Sequence, residues 1–163
     1  MTKILACTAL AVAALIAASV GLAARAGDKQ DEASRDRVLL ETIGTLGAAH
    51  LHETYLNIGF VADGKAEGTY EAKDAKEILR TVLALRETVD KQLERVGKLQ
   101  LDAADRKSLN KLRALSSLLA EQGKELQAFW DTGKKERGTK YEKIRQQAWE
   151  EIQNLTRAEA TDK

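Results

Sequence analysis

The sequence has no proline, one cysteine and few aromatic residues: two Trp, three Tyr and two Phe among 163 residues. The lack of proline and the scarcity of aromatic and β-branched side chains disfavour a β-sheet protein and favour helices. An excess of charge of one sign is also missing, because 26 Lys and Arg are balanced by 25 Asp and Glu. A dedicated nucleic-acid-binding protein carries a basic surface. Nucleic acid is therefore not an expected partner.

The overall balance of residues excludes two further classes of protein. Hydrophobic residues make up 44% of the chain and charged residues 31%. The first fraction is too high for a disordered chain, and the second is too high for a polytopic membrane protein. The composition therefore predicts a folded helical domain.

A long apolar run occurs at the N-terminus and has the organisation of a signal peptide. Lys3 supplies a basic start, residues 4–22 are rich in Ala and Leu, and residues 24–26 read Ala-Arg-Ala. Small residues at both ends of that triplet form a typical cleavage site. We therefore expect cleavage before Gly27.

Cleavage predicts a periplasmic or secreted protein in which residues 27–163 form a single domain without stable membrane insertion. Residues 4–24 carry no charge and are just long enough to span a bilayer. An uncleaved membrane anchor at residues 4–24 is therefore the alternative to the cleaved signal peptide.

Removal of residues 1–26 also changes the available chemistry. It deletes Lys3, Arg25 and the single cysteine, Cys7, which leaves 24 basic and 25 acidic residues and a net charge of −1. The exported chain would then contain no disulfide, no thiolate nucleophile and no cysteine ligand for zinc or haem. Its stability has to come from a packed core.

Apolar residues recur at helical spacing in four segments, and each segment has one apolar stripe and one charged face. Successive stripes meet most economically inside an antiparallel up-down-up-down four-helix bundle, an all-α fold. The predicted helices are Ala33–Val61, Glu71–Val96, Ala103–Asp131 and Lys140–Arg157.

Residues that interrupt or cap helices fall between these segments. Asp102 is placed to cap the third helix, and Thr139 with Glu142 forms a capping-box pattern for the fourth. Glycine occupies the connections that we predict, at positions 64, 68, 97, 133 and 138.

Three polar residues interrupt the apolar face of the first helix. His50, Thr54 and Asn57 follow one another at steps of four and three, which places them on one side of a helix. That side is otherwise formed by Leu40, Ile43, Gly47, Leu51, Ile58 and Val61.

Arg86 similarly falls between apolar residues of the second helix. We expect its guanidinium either to extend to solvent or to meet an acid or an anionic ligand. Together with His50, Thr54 and Asn57 it forms the candidate ligand-binding set. The alternatives are a structural hydrogen-bond network inside the bundle, a ligand or partner pocket, and a metal or haem site.

Catalytic and metal-binding motifs do not emerge from the pattern. His50 and His52 point about 200° apart on a helix and cannot chelate one ion. Neither histidine is preceded by glutamate at the spacing of a di-iron bundle, and we find no nucleophile elbow or phosphate loop. We therefore expect no catalytic residue, no metal site and no cofactor.

The favoured hypothesis is an exported, non-enzymatic helical bundle that binds another exported protein or a small ligand. A periplasmic carrier or sensor of a small ligand, haem or metal is the alternative. A holdase is a third possibility, because exported all-helical proteins can act in this way. Apolar residues at the edges of the stripes, Leu56, Leu83 and Trp149, are also compatible with a homodimer.

Overall fold

The computed structural model describes the backbone of residues 29–161 and the side chains of residues 34–155. Within these bounds the chain is all-α and contains four helices and no strand. They are α1 (Lys29–Ala66), α2 (Ala72–Val96), α3 (Ala103–Thr132) and α4 (Lys135–Thr161).

The chain divides into a unit that ends at Asp36, of which only the first turns of α1 are described, and a unit from Arg37 to Lys163. The expected signal peptide, residues 1–26, and its alternative, an anchor at residues 4–24, lie outside the described residues. In the part of the chain that is described, no helix combines the length and the apolarity needed to cross a bilayer.

The expected all-α class is confirmed, and the bounds of α2 and α3 agree with the sequence analysis to within one residue. The Asp102 carboxylate accepts a hydrogen bond from the backbone N–H of Asp105 at 2.8 Å, so the predicted cap of α3 is present. α3 ends at Gly133, whose φ of 66° is a left-handed conformation that glycine adopts without strain.

The predicted bounds of the first and fourth helices are wrong by four or five residues at both ends. α1 extends from Lys29 to Ala66 instead of from Ala33 to Val61, and α4 extends from Lys135 to Thr161 instead of from Lys140 to Arg157. Gly64, Gly138 and the proposed capping box at Thr139 therefore lie inside helices.

Aromatic packing explains why glycine occurs at these two helical positions. A Cβ atom on Gly64 would lie 2.5 Å from the ring of Tyr70, and one on Gly138 would lie 3.3 Å from the ring of Phe129. Both glycines make room for a ring and do not end a helix.

All four helices contribute buried side chains to one apolar core, and α3 contributes more of them than any other helix. Gly47 of α1 lies against this core, since a Cβ atom there would make ordinary van der Waals contact, at 3.6 Å, with both Leu93 of α2 and Leu112 of α3. The buried apolar cluster consists of Leu51, Ile58, Val61, Ala75, Leu79, Leu93, Leu109, Leu112, Leu115, Leu119, Leu126, Tyr141, Ala148 and Ile152.

The contact between α2 and α3 can be tested at Gly123. A Cβ atom there would lie 2.6 and 2.8 Å from the two methyl groups of Leu83, so Gly123→Ala forces Leu83 to move. We expect the free energy of unfolding to fall by up to about 2 kcal/mol, because the usual cost of overpacking, about 1–3 kcal/mol, is partly offset by the gain of about 0.5–1 kcal/mol from replacing a helical glycine with alanine. Urea denaturation of both proteins measures the difference.

Gly44→Ala is the matched control, because no neighbouring atom lies within 4 Å of its Cβ position. In this helical position alanine should stabilise the protein by about 0.5–1 kcal/mol. An equal gain in stability for Gly123→Ala would contradict the close approach of Leu83.

Candidate functional site

The polar residues predicted on α1 have different surroundings in the structure. Thr54 is 2% exposed, and its hydroxyl donates a hydrogen bond to the backbone carbonyl of His50 at 2.9 Å. His50 is half-buried, and its Nε2 atom is buried without a hydrogen-bond partner. Burial lowers the pKa of His50 below its usual value, and the nearby Glu53 opposes this shift. The imidazole is therefore neutral at neutral pH.

Asn57 is exposed, so the prediction that it faces the interior is wrong. The buried face of α1 is narrower than expected and follows Leu51, Thr54 and Ile58, whereas Asn57 lies one residue, or about 100°, away from Ile58. Ile43, expected on the inner face, is also exposed, at 38%.

Arg86 has neither an acid nor solvent as its principal partner. Its Nη1 atom donates hydrogen bonds to the hydroxyl of Ser116 at 2.9 Å and to the backbone carbonyl of Ser116 at 3.1 Å. Ser116 is completely buried, so this contact links α2 to the interior side of α3. Arg86 and Thr54 thus have structural partners, and ligand binding by His50, Thr54, Asn57 and Arg86 stays a prediction.

A second polar group lies deep between α3 and α4. Gln122 is fully buried, and neither its amide nitrogen nor its amide oxygen has a hydrogen-bond partner. Tyr141 is 4% exposed, and its hydroxyl oxygen is also unpartnered, although Gln122 lies close enough to lower its pKa. Burial outweighs Gln122 and Arg145 and raises the pKa of Tyr141 to about 12.

Glu125 is the most buried carboxylate among the residues with described side chains, with a side chain 3% exposed. It accepts hydrogen bonds from Arg137 at 2.8 and 3.0 Å and from Lys140 at 2.9 Å. These two hydrogen bonding partners lower the pKa of Glu125 below its ordinary value. The cluster joins α3 to the first turns of α4.

Helical periodicity does not predict this cluster, because the predicted start of the fourth helix at Lys140 leaves Arg137 in a connection. Once α4 begins at Lys135, Arg137 and Lys140 lie three residues apart on one helical face. Pairing both cations with Glu125 would have required the prediction that the fourth helix begins at Lys135.

An aromatic group connects α1 with α4. The rings of Tyr55 and Trp149 are stacked with centroids 5.7 Å apart, and His52 lies 6.3 Å from the same Trp ring. His52 is half-buried. Trp149 remains 41% exposed.

A cavity of about 200 Å³ lies close to His52. Small residues of α1 form one wall, and apolar side chains of α3 and α4 form the others. It is lined by Thr45, Ala48, Ala49, His52, Leu115, Ile152 and Leu155. No group of three or more potential metal ligands occurs among the residues that the structure describes.

The side of α1 that faces away from the core is apolar as well. Leu46 and Phe60 are 65% and 62% exposed, and residues 42–52 contain no charged side chain. A surface helix normally carries polar and charged residues on this side. We define the outer face of α1 by seven exposed residues: Leu39, Thr42, Leu46, Ala49, Glu53, Leu56 and Phe60.

The chain matches no known protein-family model, no curated protein and no solved structure.

The ion cluster predicts a specific dependence of stability on pH. Because the pKa of Glu125 is lower in the folded than in the unfolded protein, its contribution is present above the unfolded value of 4.5 and is lost as pH falls through the folded value. Glu125→Gln should be less stable than the wild type at pH 7, and the difference should shrink below pH 4. Urea denaturation across this range measures it.

Glu121→Gln is the matched control, because Glu121 contacts the same Lys140 at 2.8 Å but its side chain is 47% exposed. An exposed ion pair contributes little. Equal losses of stability in the two variants at pH 7 would contradict the expectation that burial strengthens the contribution of Glu125 to stability.

Tyr141 predicts a second dependence, at alkaline pH. Its pKa of about 12 lies above the unfolded value of 10, so stability should be lost as pH rises from 10 through 12. Tyr141→Phe lacks this titration. The stability of the variant relative to the wild type should therefore rise by about 2 kcal/mol between pH 7 and pH 12. If the stabilities of the wild type and Tyr141→Phe fell equally between pH 10 and pH 12, the phenol would not be buried.

Proposed function

We propose that this protein is an exported, non-enzymatic helical module that binds another protein through the outer face of α1. The observation that carries this proposal is that α1 is apolar on two opposite sides and that the core covers only one of them. Large exposed apolar surfaces on a folded domain are typical of interaction sites. Export rests on the predicted signal peptide, and the periplasm or the cell exterior is the proposed location.

We further propose that the four helices are arranged as an antiparallel up-down-up-down bundle. Two features support this order. The connections are short, at residues 67–71, 97–102 and 133–134, and short connections favour antiparallel neighbours. Close backbone approaches join α2 to α3 and α3 to α4, which are successive along the chain.

The surroundings of the carboxylates support a non-enzymatic role. Glu125 is neutralised by two cations, and other acids such as Glu41 and Glu87 form exposed pairs within their own helix. Paired carboxylates of this kind stabilise helices and surfaces and do not present a reactive group to a substrate.

A periplasmic carrier or sensor is the second candidate, supported by the unpartnered Nε2 atom of His50. We favour the interaction module because Asn57 is exposed and the Nη1 atom of Arg86 is hydrogen-bonded to Ser116, so two of the four residues expected to hold a ligand are exposed or already partnered.

Site-specific photo-cross-linking tests the proposed interaction. A benzophenone amino acid at position 46, on the outer face of α1, should give protein adducts when the full chain is expressed and exported. The matched control is position 85 on α2, where Leu85 is 57% exposed and therefore similarly accessible. Adducts should be far more abundant from position 46, because only that position would lie against the bound protein.

Equal adduct yields from positions 46 and 85 would contradict a specific role of the outer face. The absence of any protein adduct from position 46 would contradict the proposed function as a whole.

A further inference from the structure

We infer that the cavity of about 200 Å³ between α1, α3 and α4 is a binding site for a small, uncharged molecule with an apolar body and one hydrogen-bonding group. The site is separate from His50, Thr54, Asn57 and Arg86, none of which lines the cavity. It also does not depend on the proposed protein partner, because it shares only Ala49 with the outer face of α1. The inference follows from the depth, the size, the charge and the polar groups of the cavity.

The cavity extends from the protein surface to the core. Thr45 and Ala49 of α1 are exposed residues of its lining. Leu115 of α3 and Ile152 of α4 belong to the same lining and are only 1% and 4% exposed. The cavity therefore offers a path from solvent to two core side chains. Small-molecule sites in helical bundles are commonly found in such spaces between helices.

Small residues of α1 create the cavity. On the side of α1 that faces α4, Tyr55 stacks on Trp149, and the two helices are in contact there. Roughly two to three turns earlier, the same side carries Ala48 and Thr45, whose short side chains leave a space in front of Ile152. Protein interiors contain few voids larger than a water molecule, because an unfilled space forfeits dispersion contacts. A bound molecule of matching size would restore those contacts.

The size and the charge of the cavity define the class of ligand. An apolar cavity of about 150 Å³ is large enough to bind benzene. The cavity of about 200 Å³ therefore accommodates a molecule of one or two fused rings. Its lining includes no Asp, Glu, Lys or Arg. A charged ligand would lose its hydration without meeting an opposite charge, which is strongly disfavoured, so the ligand is uncharged.

Two polar groups of α1 are available to the ligand. Most threonines in the described helices donate their hydroxyl to the backbone carbonyl four residues earlier, as at positions 42, 54, 81, 88 and 132. Among the residues with described side chains, Thr45 has no hydrogen-bond partner for its hydroxyl, and His52 has none for its ring nitrogens. These two residues lie seven positions apart, which is roughly 10 Å along the helix. A molecule that fills the cavity therefore meets at least one of them with its polar group.

Thermal unfolding of the protein purified after export, with indole as the probe, tests the site. Indole has two fused rings and one N–H group and so belongs to the inferred class. We expect a saturable rise in Tm of roughly 4–8 °C at an indole concentration ten times the dissociation constant, because the ligand binds the folded protein only. A Tm that does not change with indole, up to its solubility limit, would overturn the inference.

Ala48→Leu tests whether indole binds in this cavity. Ala48 is half-buried in the lining, so a leucine side chain at this position would occupy the space itself. We expect the Tm without indole to be the same or higher, as is usual when a cavity is filled, and the indole-dependent rise to be lost. Ala84→Leu is the matched control, because Ala84 is exposed on α2 and lies outside the lining. An equal indole effect in the two variants would place the binding elsewhere and contradict the site.

Indene tests the role of the polar groups, because it has the fused rings of indole without the N–H group. The wild type should bind indole roughly two- to tenfold more tightly than indene, the effect expected of one hydrogen bond. The double variant Thr45→Val/His52→Phe retains side chains of similar shape and should bind the two probes equally, with its affinity for indene unchanged. Equal affinities in the wild type, or a preference for indole that persists in the double variant, would show that Thr45 and His52 do not recognise the ligand.

Discussion

The packing of the leucine side of α3 against the other three helices is the constraint on which the structure depends. Burial of apolar area is the dominant favourable contribution to folding, and residues 29–161, which the structure describes, include no cysteine that could supplement it with a disulfide. Leu112 packs near Gly47 of α1, and Gly123 leaves room for Leu83 of α2. The positions of α1 and α2 are therefore determined largely by which residues of α3 are small and which are large.

Three of the four buried polar or charged side chains in the described part of the chain, Ser116, Gln122 and Glu125, also lie on α3. A polar group in the core needs a partner, because an unsatisfied one costs about 1–3 kcal/mol. Ser116 obtains a partner from α2 through Arg86, and Glu125 obtains two from α4. Each of these contacts can form in only one relative position of the two helices. The polar residues therefore specify a helix alignment that leucine packing alone would not. Gln122 keeps unpartnered atoms at the centre of this region.

The sequence predicts most of the fold because helical periodicity is a local property that each segment carries by itself. The sequence is less informative where a contact between residues far apart along the chain determines the local structure. The sequence pattern predicts helix breaks at Gly64 and Gly138, since the rings of Tyr70 and Phe129 that fill the space beside them cannot be inferred from spacing. It predicts that Asn57 faces the interior, because periodicity gives the centre of a buried face but not its width. Tertiary packing settles both points.

The two faces of α1 differ in what they contribute to folding, and this difference points to function. A charged residue on the inner face would disturb the core, so its apolar residues are explained by stability alone. Leu46 and Phe60 are mostly exposed and contribute little to that core, and charged residues at their positions would raise solubility and satisfy the usual pattern of a surface helix. Their apolar character has no explanation within one copy of the folded chain. It is explained if the outer face of α1 is covered when the protein acts.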